Sequence, residues 1–542
     1  MPAIKDTSDA SSSKDSTIQG NQHPTIKTIN DPNENTSLFN HEQSHQLSAL
    51  AYIKSFLMYQ PRPVPYINKT LPSNNITIGV LALVFLNILY TFYRIPFTVA
   101  ELAVLAERSG LVFVTNLPLL YLLSAKNQPL KVLTGCSYES LNIFHRRLGE
   151  ILCLQALLHA STMFGVWYTI LRRFGFSLAK FVSTYVVYIG LGAFVSYELI
   201  YLTSLHSFRR KFYELFLGLH IILQTGALGF LFLHQESLRS RICVLSALAI
   251  FLVDRLVYRL GIKRETIKAL TTVLKDGETV RLSMTIPRRP RKPFRNFLGH
   301  SILDGWEATD HIFITIPSLG YKHSFQAHPF TIFSPVSPPA SDTMSLTLLI
   351  RSMDGFSLDL LKKAKHLGQC ASQELNLRID GPYGSSHART MLEASDLAVL
   401  VAGGSGIAVI WPLVHHLLNI EASMDSEFIP MKMPRRQKIV LIWVVHREEH
   451  KAWVSNQALE EIVKMGVKVI SPGATEVFGR PDLGDILTDS VEEFGVEKGN
   501  GGRAARVVVS GPDSMNRVVR NTCSGLVKKG KDIDVVVEKF GW

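Results

Sequence analysis

The sequence predicts a multi-domain membrane protein in which a six-helix transmembrane bundle is followed by a small antiparallel β-barrel and then a doubly wound, Rossmann-like α/β domain. Three observations carry this. Residues 76–260 hold several uncharged apolar runs of membrane-spanning length. From about residue 264 the pattern changes to short β-rich runs (TVRLSMTI, DHIFITI, SLTLLIR) broken by Pro and Gly, as in a small barrel. After about residue 390, strand-like LAVLVA, KIVLIWVV, RVVVS and DVVVE alternate with helical segments, which argues for a parallel sheet.

Composition removes several classes. Lys plus Arg minus Asp plus Glu is 57 − 45 = +12, but the basic residues form short clusters between apolar runs, so no nucleic-acid partner is expected. The five cysteines (Cys136, Cys153, Cys243, Cys370, Cys523) are widely spaced without a C-x-x-C pair, which argues against a disulfide scaffold and a structural zinc site.

The elements follow in order. Residues 1–46 contain 21 Ser, Thr, Asn or Gln and no apolar run, and are expected to be a disordered tail. They lack a basic n-region followed by an apolar h-region, so no cleavable signal peptide is expected. Residues 47–75 are a juxtamembrane segment whose apolar stretch, at under about 15 residues, is too short to cross a bilayer; it reads as an elbow or an interfacial helix. Residues 76–262 carry the spans Ile76–Tyr93, Ser109–Ala125, Ile151–Leu171, Phe181–Tyr197 and Leu215–Gln235. A weaker sixth, Ile242–Val253, needs Asp254 and Arg255 near its end. Six spans put both termini on one side. That side carries Lys126, Lys131, Arg146, Arg147, Arg209, Arg210, Lys211, Arg255, Arg259, Lys263 and Arg264, against Arg94, Arg108, Arg172, Arg173, Lys180, Arg239 and Arg241 opposite, so cytosolic termini are expected. The barrel covers 263–388 and the α/β domain 389–542. The cluster Arg288, Arg289, Arg291, Lys292, Arg295 reads as a solvated loop, with anionic lipid as the alternative.

Four intramembrane histidines point to chemistry. His145 and His159 are 14 residues apart on the third span, and His220 and His234 are 14 apart on the fifth. Fourteen helical residues rise ~21 Å and return within ~40° of the same face. The two spans run the same way, so His145 faces His220 at one level and His159 faces His234 at the other. A single intramembrane histidine is as readily a hydrogen-bonded packing residue, but two equally spaced pairs suggest function. Zinc gathers its ligands in one tetrahedral shell, whereas pairs ~21 Å apart suit two six-coordinate haem irons of b type. Arg146, Arg147, Arg209 and Arg210 could hold propionates or serve topology. His206, in the basic loop, reads as a surface residue.

In the barrel, HPFTIF (His328, Pro329, Phe330, Thr331, Ile332, Phe333) precedes Arg351 and GFS with Ser357. A His, an Arg and hydroxyls beside Gly can receive a pyrophosphate. DGPYG (with Gly381 and Pro382) is followed by VAGGSGIA, whose Gly403, Gly404 and Gly406 lie between a strand and a helix, where phosphate meets a helix N-terminus; a glycine-rich packing turn is the plainer alternative.

Together these residues resemble the plasma-membrane ferric reductases of fungal type, in the superfamily shared with NADPH oxidases. The similarity runs from about residue 50 to 542 through RSG, NLPLLYLLSAKNQPL, LTG, LNIFHRRLGE, HPFTIF, GPYG, AGGSGIA and SGP (Ser510, Gly511, Pro512), in family order. The resemblance implies that His328, Pro329, Phe330, Thr331 and Ile332 line the flavin of FAD, with Arg351 and Ser357 at its phosphates. It assigns Gly381, Pro382, Gly403, Gly404, Gly406, Ser510, Gly511 and Pro512 to the NADPH cleft, and makes Phe540 the cover of the isoalloxazine, with Trp542 as second choice. It implies electron transfer from cytosolic NADPH through FAD and two b-type haems to a ferric chelate or cupric ion outside, with a permease or oxidase partner for metal uptake, in a lipid-embedded plasma-membrane protein. The alternatives are a superoxide-generating oxidase and a redox-silent scaffold or transporter. In the oxidase branch the second histidine interval is expected to be one residue shorter; here both are 14.

Three departures stand out. Ser510 replaces the cysteine of a Cys-Gly-Pro turn. Many relatives carry Trp-x-x-Arg for the NADP 2′-phosphate, whereas here Trp443 is followed by Val444, Val445, His446 and then Arg447, which leaves His446 and Arg447 as the residues for that phosphate. Some members also have a secreted N-terminal region and an extra span that this chain does not show.

Overall fold

In the first half of the chain the uncharged runs fold as helices, because hydrocarbon offers no partner to a free backbone N–H or C=O. The structure, a computed structural model, describes residues 49–66, 70–126, 130, 138–289, 301–324, 326–337, 341–368, 374–426, 437–497 and 503–538. A short helix α1 (Ala49–Met58) precedes α2 (Asn74–Phe92), α3 (Leu102–Ser124), α4 (Tyr138–Thr169), α5 (Tyr185–Ser204) and α6 (Tyr213–His234). The last five are long and apolar enough to cross a membrane.

The boundaries depart from the sequence expectation where charge or a cap intervenes. Helix α4 begins well before Ile151, so Arg146, Arg147 and Glu150 lie on the helix rather than before it. Phe181 belongs to a separate short helix, Leu178–Val182, whose N-cap Ser177 accepts from Lys180 N, and the span proper starts at Tyr185. The expected sixth span is not among the five: α7 (Leu238–Leu252) has 15 residues and runs on into a π-helical segment, Val253–Ile262. Asp254 at that junction accepts a hydrogen bond from Lys126 N at 3.1 Å, so the wide turn begins where a carboxylate is tied to the α3 exit.

Within the bundle α3 packs along α4, α5 along α6, and α7 along α3, while α4 meets α5. Leu117, Leu148, Leu152, Ala227 and Leu228 are buried in its core. Outward, Leu81, Phe85, Ile88, Leu154 and Ile222 are exposed, as suits a lipid-facing surface.

The next unit is a six-stranded antiparallel sheet: β1 (Arg264–Val273), β2 (Thr279–Pro287), β3 (His311–Thr315), β4 (His328–Thr331), β5 (Thr343–Arg351) and β6 (Glu374–Tyr383), in the order β4-β3-β6-β1-β2-β5. Val280, Leu282, Met284 and Ile286 alternate into its core along β2, the period-2 pattern of a half-buried strand. Among the described residues the sheet does not close fully as a barrel; its edges meet at the bridge of Ile332 with Leu348, beside Phe333 N donating to Thr347 O at 2.8 Å. Helix α8 (Gly355–Leu367) covers the sheet through Phe356, Leu360 and Ala364. In the basic cluster, Arg288 Nη2 donates to Ser337 O and Arg289 reaches Glu265 at 3.9 Å; Arg291, Lys292 and Arg295 lie outside the described residues.

The last unit is a parallel five-stranded sheet of β7 (Leu397–Gly403), β8 (Lys438–Val444), β9 (Lys468–Ile470), β10 (Ala505–Ser510) and β11 (Ile533–Val537), ordered β11-β10-β7-β8-β9. Every residue of β7 is buried, the continuous apolar run of a strand covered on both faces. The order reverses beside β7, so a topological switch point opens between β7 and β10, from which α9 (Ile407–Ser426) and α10 (Asp513–Lys528) lead away.

Helix α1 is held against the last unit. Ala51, Ser55 and Met58 share one face, and that face docks on the five-stranded unit. Ser55 Oγ lies 3.0 Å from Ser524 Oγ, Lys54 Nζ lies 2.6 Å from Asp534, and Gln60 and Asn521 exchange two hydrogen bonds (N to Oδ1, 2.8 Å; Nδ2 to O, 3.0 Å). Asn521→Ala leaves the Gln60 backbone unpaired at about 1–3 kcal/mol. The expected result is faster tryptic cleavage at Lys54 with the bundle unaffected, read by limited proteolysis of detergent-purified protein.

Candidate functional site: four anchored histidines and two nucleotide turns

The 14-residue intervals place His145 and His159 on α4, and His220 and His234 on α6. His159 and His234 meet with ring centres 6.1 Å apart and planes at 80°. Each ring is tied through Nδ1. His145 donates to Leu120 O at 2.9 Å, His159 to Ala106 O at 2.7 Å and His234 to Val186 O at 2.8 Å, while His220 Nδ1 lies 3.4 Å from Ser204 Oγ. A carbonyl only accepts, so in the neutral ring three of the four Nδ1 atoms carry the proton and Nε2 keeps its lone pair for a ligand.

The farther pair shares a local device. His159 bonds the carbonyl of Ala106 and packs on Gly110, four residues on; His234 bonds that of Val186 and packs on Gly190, again four residues on. In a helix residue i+4 lies one turn above residue i, so a ring reaching that carbonyl crosses the place of the i+4 side chain. A Cβ on Gly110 would lie 3.1 Å from the His159 ring and one on Gly190 2.8 Å from the His234 ring. The two glycines are notches for imidazoles. His206 sits exposed in the short helix His206–Lys211, apart from this register.

On the six-stranded sheet, the HPFTIF and GFS residues come together. The His328 ring stacks on Phe356 with centres 4.1 Å apart, and Phe330 lies 6.0 Å from the same ring. Gln326 Oε1 lies 2.9 Å from His323 Nδ1 and 3.2 Å from His328 Nε2, and His323 Nε2 lies 3.0 Å from Asp359 Oδ2. Burial, then the charges of His323 and Lys322, pull His328 down to about 4, so it is neutral at physiological pH. Thr331 Oγ1 is buried with no partner among the described residues, a hydroxyl left for a ligand. Ser357 Oγ accepts from Met353 N at 3.0 Å, next to Arg351 at the end of β5. Pro329 pairs with Phe313 across β3 and β4, and Ile332 is buried at the bridge. Gly381 and Pro382 lie in β6 of this sheet, where Lys263 Nζ donates to Pro382 O at 2.6 Å, and not on the sheet that carries the other nucleotide glycines.

At the switch point the remaining motifs converge. Gly404 has φ +55°, which opens the turn after β7. Gly406 lies against the Ser510 carbonyl, Gly403 against Pro512 and Met515, and Gly511 has the Gly403 Cα 3.1 Å from where its Cβ would be. Ser510 Oγ is buried without a partner among the described residues. These turns end at the start of α9, a helix N-terminus facing the crevice. His446 and Arg447 follow β8: His446 Nδ1 lies 3.1 Å from Thr475 Oγ1, but Arg447 Nη2 lies 2.6 Å from Glu278 of the β1–β2 hairpin. Phe540 and Trp542 lie outside the described residues.

The family model described as ferric reductase like transmembrane component matches residues 109–231, the FAD-binding domain matches 264–387, and the ferric reductase NAD binding domain matches 396–471. Three successive parts of the chain are thus similar to a ferric reductase transmembrane component, an FAD-binding domain and a ferric reductase NAD binding domain. Its sequence is 27% identical over 332 residues to ferric reductase transmembrane component 3 of Saccharomyces cerevisiae, covering 60% of this chain and 42% of that protein. It is 27% identical over 312 residues to the ferric/cupric reductase transmembrane component 2 of the same yeast, covering 57% and 39%. The chain thus spans about two-fifths of the length of these relatives (42% and 39%). Among solved structures it is similar to flavohemoglobin from Malassezia yamatoensis, with 17% identity, a TM-score of 0.37, and coverage of 82% of this chain and 97% of that one.

Several residues at these sites carry little signal in the sequence. Gln326, His323 and Asp359 are unremarkable in order along the chain, although the His just before HPFTIF was a usable signal. Glu278, in the turn sequence DGE, carried none. For the nucleotide turn, Gly406→Ala drives a Cβ into the Ser510 carbonyl, which neither strand end can yield without opening the switch point. The expected outcome is loss of nicotinamide-nucleotide binding by calorimetry at least tenfold (~1.4 kcal/mol), with flavin content unchanged.

Proposed function

We propose that the chain moves electrons from NADPH across a membrane to a ferric chelate or cupric ion. The observation that carries this reading is the set of four histidines at two levels, each held at Nδ1, with His159 and His234 6.1 Å apart. Metal–imidazole bonds are ~2 Å long, so that spacing leaves room for a metal between the rings, which His159 and His234 would hold through Nε2. The buried, unpartnered Thr331 and Ser510 hydroxyls likewise fit ligands at the flavin and nucleotide sites.

When bound, FAD converts the coenzyme's hydride into single electrons and two b-type haems relay them through the bilayer. The protein's part is placement. His145 and His220 hold the level near the soluble domains and His159 and His234 the far level; two levels are needed because ~30 Å of hydrocarbon is too thick for one transfer. His328, Pro329, Phe330, Thr331 and Ile332 line the isoalloxazine, with Arg351 and Ser357 at the flavin phosphates. Gly403, Gly404, Gly406, Ser510, Gly511 and Pro512, with Gly381 and Pro382, shape the NADPH cleft, and His446 and Arg447 are the residues offered to its 2′-phosphate. Phe540 is assigned to cover the flavin.

The same reading takes α7 with its π-helical extension as a sixth span, closes the flavin sheet as a barrel, and divides the chain at 76–262, 263–388 and 389–542, with both termini cytosolic in the plasma membrane. The reduced metal then goes to a permease or oxidase partner. The equal 14-residue intervals favour metal over oxygen as acceptor by family association.

Two outcomes are expected. Purified protein carries two b-type haems per chain by pyridine haemochrome assay, and His159→Ala or Gly190→Ala each removes one of them; a protein reconstituted with haem that binds none overturns the assignment. In proteoliposomes, NADPH-dependent ferric-chelate reduction persists without oxygen and ignores superoxide dismutase. Its loss in both treatments makes superoxide the product.

A further inference from the structure

One carboxylate oxygen joins the flavin and nucleotide halves. Glu278 Oε1, on the β1–β2 hairpin, lies 2.6 Å from Arg447 Nη2, 2.8 Å from His450 Nε2, and 3.1 and 3.2 Å from Arg351 Nη2 and Nε. Burial pushes the Glu278 carboxyl up, but hydrogen bonds from Arg447 and His450 and the charge of Arg351 outweigh it and hold it below the usual range, so it is an anion. The hairpin has a second grip: Asp276 Oδ2 accepts from Trp453 Nε1 at 2.7 Å, and Arg281 Nη2 donates to Trp453 O at 3.2 Å. Asp276, Glu278 and His450 also cluster closely, but these bonds already occupy their ligand atoms.

Arg447 and Arg351 are the two arginines offered to phosphates, one on the coenzyme and one on the flavin, and Glu278 is the anion both of them hold. Arg447 is extended (φ −118°, ψ 153°), and successive side chains of an extended segment point to opposite sides. Accordingly His446 turns to Thr475 while Arg447 turns to Glu278. Glu449 and Glu476 also bear on the Arg447 guanidinium, so a phosphate approaching it meets negative charge from three carboxylates.

We propose that Glu278 is a specificity-determining residue that competes with the coenzyme's 2′-phosphate for Arg447. This rests on the reading of the switch-point crevice as a nicotinamide-nucleotide site. Binding a 2′-phosphorylated coenzyme through Arg447 requires that guanidinium to leave a carboxylate of the flavin sheet. The preference for NADPH over NADH is therefore weaker than Arg447 alone would give, and the exchange links coenzyme occupancy to the contact between the two halves.

The test uses full-length protein in detergent with its flavin, titrated calorimetrically with adenosine 2′,5′-bisphosphate and with 5′-AMP. Glu278→Gln is expected to tighten the bisphosphate roughly tenfold, the scale of one charge-assisted hydrogen bond, while 5′-AMP is unchanged. Glu278→Asp, which withdraws the carboxylate and conserves charge, gives a smaller gain in the same direction and covers the case in which the Gln variant fails to fold. In Glu278→Gln/Arg447→Ala the gain disappears. An unchanged bisphosphate-to-AMP ratio in the folded variants, or a gain that survives removal of Arg447, overturns the proposal. Failure of wild type and both variants to bind either nucleotide overturns it together with the nucleotide-site reading; binding of both at an unaltered ratio overturns it alone.

Discussion

The hydrogen bond from a histidine Nδ1 to a helix carbonyl is the constraint on which the bundle's architecture turns. A ring that could rotate or change tautomer would present a proton as readily as a lone pair, and in hydrocarbon no water would correct it. Bonding to Leu120, Ala106 and Val186 removes that freedom, and it also dictates how helices pair. His145 and His159 lean on α3, His234 on α5. The strongest helix contacts are the same two, α3 with α4 and α5 with α6. Helices α4 and α6 are thus each braced from outside by a partner, which leaves their histidine faces turned towards one another.

The glycine notches follow from that bracing. At the far level each ring needs both the carbonyl of residue i and the space over residue i+4, and Gly110 and Gly190 supply the space at Ala106 and Val186. The level nearer the soluble domains has Ser124 four residues beyond Leu120, and its His220 contact is a hydroxyl, Ser204. The far pair is the more tightly prescribed of the two, because close helix approach there depends on two residues without side chains.

The sequence made some of this legible and hid the rest for definable reasons. The histidine intervals could be read because a helix repeats regularly, and β7, β8, β10 and β11 because buried parallel strands are continuous apolar runs. Strand β9, only Lys468–Ile470, is too short to stand out. The end of α7 was hidden because its charges are placed by a bond from Lys126, far away in the chain. Ala51, Ser55 and Met58 make one face of α1, but nothing local says that the face belongs to Ser524 and Asn521 rather than to lipid. Likewise Glu278 acquires its meaning from His450, 172 residues on, and from Arg447. In each case the missing information is the identity of a partner distant in sequence.

The direction of electron flow in this reading can be traced through the same contacts. Leu120 holds His145, and a few residues later Lys126 leaves α3 and lays its Nζ 3.0 Å from the centre of the Phe313 ring on β3. Lys263, at the start of the flavin unit, lies 4.1 Å from the Tyr383 ring, which meets Phe313 edge-on at 5.6 Å. Two lysines from the end of the bundle therefore clasp an aromatic pair on the flavin sheet, a cation–π contact worth about 0.5–2 kcal/mol each. The end of the bundle that carries His145 is the end docked to the flavin unit, and His159, 14 residues along α4, is carried away from it. In the proposed function, an electron leaving that unit would meet the His145 and His220 level first. It would reach the His159 and His234 level only by crossing the bundle, so the proposed order of the two sites follows from which loop touches Phe313.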